Sequence, residues 1–274
     1  LRWLIGVELA RYRKRSGETL AAAAKAIGCS PSLVGHFEKG MYFPQPQQIA
    51  GLLEFYGAPT WDIDRLASLC GRADQRTWLA PWVDVIPDWL RTFVGLEGLA
   101  IREITYAPLV LPALVQTSEY AVAMTSPSSR VRPDQGERLV SLRMERQQRL
   151  FCETSPLHLT ALIEESVLDR PIGGTAIMKE QLERLVTISE LPNVEVLIVP
   201  TVVGRHDGLE GRFTVLDFDE AQSIGYVEIP DGAVYVQDQE QVGAYSHNAE
   251  ALRSVALSQA ESAKAVRARA DALA

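Results

Sequence analysis

The sequence predicts two domains of different class. The first is a small all-α head of five short helices over residues 1–75. The second is a mixed α/β body, α+β in kind, over residues 76–274. Three observations carry this. A chain of 274 residues with 47% hydrophobic content and no long biased tract is large enough for two cores. Helix start and stop signals crowd the first 70 residues, whereas strand-like stretches begin only at residue 102. The charge also divides at this boundary. Residues 1–75 hold nine Lys/Arg against seven Asp/Glu, a net of +2, while the remainder holds 18 against 28, a net of −10. Such a split suits a head that meets a polyanion and a body that a polyanion repels.

The head is organised around residues 19–40. Ile5, Leu9 and Tyr12 repeat at helical spacing in a first helix, which ends in the basic cluster Arg11, Arg13, Lys14 and Arg15. Thr19 can cap a second helix of small helix formers, Ala21 to Ala24, that lets a neighbour approach closely. Gly28 ends it, Ser30 caps a third helix, and Pro31 costs no hydrogen bond at the first helical position. Val34 and Phe37 face inward, Ser32, Leu33, Gly35, His36 and Lys39 face out, and Gly40 stops the helix. This is the plan of a helix-turn-helix, whose second helix can enter the DNA major groove. Beyond Pro44 and Pro46, a fourth helix carries Ile49, Leu52, Leu53 and Tyr56, and a fifth carries Ile63, Leu66 and Leu69.

These residues resemble the DNA-binding domain of the Xre family, related to the lambda and 434 repressors and Cro. Leu9–Arg13, Gly17, Thr19, Ala24, Gly28, Ser30, Ser32, Val34, Glu38, Gly40, Pro44 and Tyr56-Gly57 carry the resemblance. It implies a lambda-repressor-like head that binds double-stranded DNA as a homodimer. Two positions depart from the family. Leu20 replaces the Gln that usually follows the opening Thr, and His36 stands near a usual Arg or Lys. The expected DNA-binding residues are Arg13, Lys14, Thr19, Ser30, Ser32, Leu33, Gly35, His36 and Lys39. Ser30, Ser32 and the helix N-terminus would grip phosphate, and Leu33 and Gly35 would lie near base edges.

In the body, residues 83–101 read as an apolar helix whose Trp89 and Phe93 are packing residues rather than a ligand cage, and 102–107 as a strand. Pro108 and Pro112 bracket an irregular turn, and Gln116-Thr117 precede a short helix. After the polar loop 126–133, Asp134 and Glu137 read as a capping-box start for a helix with Leu139, Leu142 and Leu150 inward. Its Arg138, Arg143, Arg146 and Arg149 are expected to be solvated or to pair with Glu137, Glu145 and Glu153, the alternative being anion binding. Strands follow at 157–163, 193–200, 212–218, 223–229 and 233–236, with an amphipathic helix at 175–191. Gly173-Gly174 is a turn and not a phosphate loop. Helices fill 239–273, restarted by the capping box Ser258-x-x-Glu261.

LVLPALVQTSEYA (109–121), LRMERQQRL (142–150), EESVLDRPIGG (164–174), LPNVEVLIVP (191–200) and GRHDGLEGRFTVLDF (204–218) resemble the DUF5753 domain. That domain follows an Xre head in many actinobacterial regulators of the Scr1-type antitoxin-like kind. The resemblance implies a small DUF397-type protein as partner. Tyr106, Gln116, Arg143 and Arg146 are the candidate site for a small-molecule effector or a partner.

Other functional classes are thinly supported. Glu164, Glu165, His206 and Asp207 are the groups that acid–base work would use, but nothing in their spacing proves that they meet, and the body is read as no enzyme. Cys29, Cys70 and Cys152 form no CxxC pair, and four scattered histidines lack ligand spacing, so neither metal nor cofactor is expected. The longest apolar stretch, 107–115, is too short for a bilayer, and no signal-peptide pattern is seen. The expectation is a cytoplasmic chain.

Overall fold

The computed structural model describes residues 2–58, 60, 63, 66, 82, 84–126, 131–153, 155–219 and 222–273. The chain separates into two contact units, residues 1–83 and 84–274.

The first unit contains α1 (Arg2–Ser16), α2 (Leu20–Ala26), α3 (Pro31–Glu38) and α4 (Pro46–Phe55). Local chemistry sets their ends. Thr19 Oγ1 accepts the Ala22 N–H at 3.1 Å, and Ser30 Oγ accepts the Leu33 N–H at 3.2 Å. Gly28 and Gly40 turn the chain out of α2 and α3 at φ 67° and 65°, a region that suits glycine. Ile5, Leu9, Ala23, Ala24, Val34, Phe37, Ile49, Leu52, Leu53 and Leu66 form one core. Ile63 packs against it, while Leu69 lies outside the described residues.

The second unit is built on a six-stranded mixed sheet: β1 (Arg102–Ala107), β2 (His158–Glu164), β3 (Val194–Val199), β4 (Phe213–Asp217), β5 (Ile224–Ile229) and β6 (Gly232–Val236). The strand order is β3-β2-β1-β4-β5-β6. β1, β2 and β3 run parallel, whereas β4, β5 and β6 pair antiparallel. Among the described residues the longer helices are α5 (Asp88–Glu97), α6 (Ser118–Thr125), α7 (Gly136–Gln147), α8 (Thr175–Ile188), α9 (Gln239–Val255) and α10 (Gln259–Ala272), and a single turn, Glu165–Leu168, follows β2. The β3 edge is sealed by the junction of α9 and α10, where Ile198 N–H donates to Ser262 Oγ and Leu257 N–H to Ile198 O.

Strand alternation gives the sheet two faces, both rich in buried apolar residues, with Leu159, Ile163, Val196, Ile198 and Leu216 on the second. Ile104, Tyr106, Leu162, Leu197, Val199, Phe213, Val215 and Val236 pack against Val242, Ala249 and Leu252 of α9. The opposite face carries Glu103, Thr105, Thr214 and Tyr226, with Thr105 and Thr214 hydroxyls 3.1 Å apart. There the Phe93 ring of α5 stacks on Tyr226 at 4.1 Å, and Tyr235 donates to Trp89 O.

Three helices depart from the sequence reading. α5 spans 88–97 rather than 83–101, because Pro87 sets its N-cap and Gly98 its C-cap. α8 ends at Ile188 rather than 191, since Pro192 disfavours helix at the residue before it. The Asp134–Glu137 capping box does not form: Pro133 opens a 3-10 turn, and Arg132 takes the Asp134 carboxylate at 3.0 and 3.1 Å. At the last junction the box at Ser258 and Glu261 is present.

Glu103 is buried on the second sheet face, and among the described residues its Oε2 has no hydrogen-bond partner. Burial and the neighbouring Glu97 push its pKa up to about 8, against the opposing pull of Arg146. The folded chain therefore holds a proton that the unfolded chain releases near pH 4.5. Stability falls as pH rises from that value towards 8, where the native carboxyl ionises too. Glu103→Gln removes this dependence. In thermal melts its advantage over the wild type should grow across the window to on the order of 5 °C. A constant difference between pH 5 and pH 8 would reject the assignment.

Candidate functional site

The head presents one end and one face of α3. Ser30 and Ser32 at its start and Lys39 at its C-cap are exposed, as are Lys14 and Arg15 at the end of α1. In the caps, Ser30 and Thr19 use an oxygen lone pair and keep the hydroxyl hydrogen available to a phosphate. His36 is half-buried, with its ring edge against Tyr42 at 5.2 Å.

Three of the expected contact residues sit differently. Arg13 does not face outward: Nε and Nη2 clasp the Glu38 carboxylate at 2.6 and 2.9 Å, and Nη1 donates to Glu18 O. Its side chain is 17% exposed and that of Glu38 10%, so this fork ties α1 to the end of α3 and is not free for phosphate. Leu33 packs partly against the head core. Gly35 faces α2, since a Cβ there would meet Leu20 Cδ1 at 3.8 Å. Thus Leu20, the residue that departs from the family pattern, lies against Gly35.

The structure adds residues that the sequence reading passed over. Met41, Tyr42 and Phe43 follow α3 directly, and all three are exposed, Tyr42 at 54%. Three consecutive large apolar residues between Gly40 and Pro44 were the available signal, because a solvated loop has no folding reason to carry them.

The four candidate body residues do not form one site. Tyr106 lies on the sheet face that packs on α9, where its hydroxyl donates to Glu164 Oε1 at 2.8 Å. Arg146 lies against the opposite face: it grips Glu97 at 2.8 and 2.5 Å and sits over the Phe93 ring. The sheet separates them. Gln116 and Arg143 do meet, with Arg143 Nη1 donating to Gln116 Oε1 at 2.9 Å.

Arg138 of α7 and Arg149 of the turn after it are held by other partners. Arg138 grips Asp84, and Arg149 donates to Ala100 O and Ser155 O. Gln147 and Gln181 fix the irregular turn 111–117: Gln147 donates to Ala113 O and Gln116 O, and Gln181 to Val115 O.

Of the acid–base candidates, Glu164 and His206 come together and the other two go elsewhere. The connection from β3 to β4 must cross the C-terminal ends of β2 and β1, because β4 pairs beyond β1. This crossing sets His206 Nε2 3.1 Å from Glu164 Oε1, and Gly208 against the Tyr106 ring, where a Cβ would meet the ring at 2.6 Å. Burial and Glu164 raise the Tyr106 pKa further above its ordinary value. Glu165 instead accepts the Thr201 N–H and pairs with Arg269, and Asp207 lies 3.9 Å from Arg205.

Among the described residues no cluster of three or more His, Cys, Asp or Glu could hold a metal ion, and no helix is long and apolar enough to cross a membrane. Cys29 and Cys152 are free thiols, and Cys70 lies outside the described residues.

Comparison with known families agrees with this division. A model described as a helix-turn-helix domain matches residues 4–66, and one described as a domain of unknown function, DUF5753, matches residues 90–268. Neither the curated proteins nor the solved structures gave a match. The second family match covers more than half of the 274 residues, so the protein belongs to the DUF5753 family and carries in front of that domain the helix-turn-helix of a DNA-binding regulator.

Proposed function

We propose that the protein is a sequence-specific transcriptional regulator that binds double-stranded DNA as a homodimer, with a body that binds a small effector or a protein partner. The observation that carries the reading is the exposed, capped start of α3, with Ser30 and Ser32 at one end, Lys39 at the other and His36–Tyr42 between them. Caps and hydroxyls of this kind fix a recognition helix on the phosphates, and two symmetric heads would place their helices one DNA turn apart. The body acts here by binding and not by catalysis. Tyr106 and His206 both meet Glu164 Oε1 and so hold the crossing chain, with His206 Nδ1 buried and unpartnered among the described residues.

Selection of bound fragments from sheared genomic DNA tests this, at low and moderate salt. A roughly palindromic site should be enriched. Lys39→Ala should weaken binding across all sequences and reduce the slope of log affinity against log salt by about 1. Absence of enrichment at either salt would reject the reading, and an unchanged slope would remove Lys39 from the phosphate contacts.

The exposed Met41, Tyr42 and Phe43 favour a second reading, an antitoxin-like module that binds a small DUF397-type protein, with DNA binding secondary. An apolar contact tolerates salt whereas a phosphate contact does not. A complex with such a partner that survives high salt, together with failed DNA selection, would select this reading.

A further inference from the structure

Four arginines lie along α7 and the turn that follows it, and three of them are held by a carboxylate or by two backbone carbonyls, although Arg149 Nε is buried without a hydrogen-bond partner among the described residues. Arg146 faces Glu97 and Arg138 faces Asp84, each with two nitrogens, and Arg149 donates to two backbone carbonyls. Arg143 differs. Among the described residues its one hydrogen bond is from Nη1 to a neutral acceptor, Gln116 Oε1. The remaining nitrogens, Nε and Nη2, have no hydrogen-bond partner among the described residues, and neither is fully buried.

The neutral partner is itself fixed. Gln116 is buried, its Nε2 donates to Leu111 O at 2.8 Å, and its backbone carbonyl accepts from Gln147 at the same distance. With the amide nitrogen committed to a carbonyl, Oε1 has only one orientation in which to hold the guanidinium. The chain thus aims a guanidinium through a rigid side chain that leaves its charge uncompensated.

The surroundings do not supply the missing anion. The charged and titratable groups within electrostatic reach are Arg146, Arg212, Glu228 and Tyr120. Arg146 is matched by Glu97, and Glu228 lies 3.3 Å from Arg212. Burial, then Arg146 and Arg212, lower the Arg143 pKa from its ordinary value, which shows two like charges beside a half-buried cation. A charged group taken out of water without a partner is costly, and a guanidinium fork with two unused donors matches one oxyanion.

Other charged places in the body contrast with this. The groove of about 970 Å³ at the opposite ends of β1, β2 and β3 is lined by Arg102, Arg253, Asp217 and Glu195. There Arg102 meets Asp217 at 2.6 Å and Arg253 meets Glu195 at 2.7 Å.

We propose that Arg143, held by Gln116, anchors a binding site for a small ligand bearing a carboxylate or phosphate group. This deepens the regulator reading and rests on its effector-sensing branch: the ligand is the effector. The Arg143-x-x-Arg146-Gln147 run then divides its labour. Arg146 and Gln147 hold α7 and the turn in place, and Arg143 faces the ligand.

Thermal unfolding of the full chain tests this, with acetate and inorganic phosphate as probes against chloride at matched ionic strength. At least one probe should raise the midpoint saturably, and the more effective one identifies the oxyanion. Arg143→Met should weaken that probe on the order of tenfold or more. Arg205→Met, which removes an equal charge from an 87% exposed side chain, should leave it unchanged. Arg143→Lys keeps the charge without the fork and guards against misfolding. It should fold as the wild type by circular dichroism and still bind more weakly. The proposal is overturned by a wild type that gives no saturable shift, or by equal shifts in wild type and Arg143→Met. DNA selection is read separately. Its failure rejects the regulator and leaves the anion shift standing.

Discussion

Gly6→Ala should unfold the head. In α1, a Cβ at position 6 would lie 2.4 Å from Phe37 O and 2.7 Å from Glu38 O, the carbonyls that end α3. Neither atom can swing aside. Phe37 O already accepts the Gly40 N–H at 2.9 Å, and Glu38 is gripped by Arg13. Relief requires α1 to move off α3. That movement opens the core between Ile5, Leu9, Val34 and Phe37 and slackens the Arg13–Glu38 clasp. Overpacking of this kind costs about 1–3 kcal/mol even when side chains can yield. Here backbone must yield, in a small domain with little stability to lose. The expected result is loss of the head's unfolding transition in calorimetry and loss of DNA binding, with the body's transition as internal reference. Gly35→Ala in α3 is the matched control. Its Cβ meets only Leu20 Cδ1 at ordinary contact distance, so it should be neutral or add up to ~1 kcal/mol through helix propensity. A wild-type melt for Gly6→Ala would show that the helices do not pack as described.

That contrast shows which parts of this molecule the sequence exposes. Thr19, Ser30, Pro31, Gly28 and Gly40 act within three or four residues of themselves, so the ends of α2 and α3 could be read directly. The strand at 102–107 was equally legible from its alternation. Arg13 was not. It resembles its basic neighbours in sequence, and its guanidinium is taken up by Glu38, 25 residues away, and by Glu18 O. Arg146 and Glu97 are 49 residues apart, and Tyr106 meets Glu164 across 58. No local pattern encodes such pairings. They follow from strand order, which sends the β3–β4 connection over β2 and β1 and leaves Tyr106 and Arg146 on opposite sheet faces. The Gln116–Arg143 contact spans 27 residues, and of the four candidates only these two meet.

Arg146→Met should be the most damaging single change in the body, and its damage should depend on pH. The guanidinium is 8% exposed and Glu97 is 2% exposed; two parallel hydrogen bonds join them over the Phe93 ring. Glu103 lies on the same sheet face, within electrostatic reach of both. Methionine fills the space but leaves Glu97 without its countercharge. Removing one partner of a buried pair costs about 3–5 kcal/mol. Protonation of the stranded carboxyls offers an escape at low pH, at no charge-burial cost, so the loss at pH 5 should be the smaller one. It should grow as pH rises to 8, where the unfolded state gains by ionising both groups. Glu97→Gln in the Arg146→Met background should recover more than half of the loss at pH 8, because the pair is then replaced and not broken. Denaturant titrations of the single and double variants at both pH values would decide it. Equal instability of the two, or a loss independent of pH, would mean that the arginine contributes packing and not charge. The experiment also bears on the ligand site: if Arg146 holds α7 as argued, its loss should weaken the oxyanion response of Arg143 without any change at Arg143 itself.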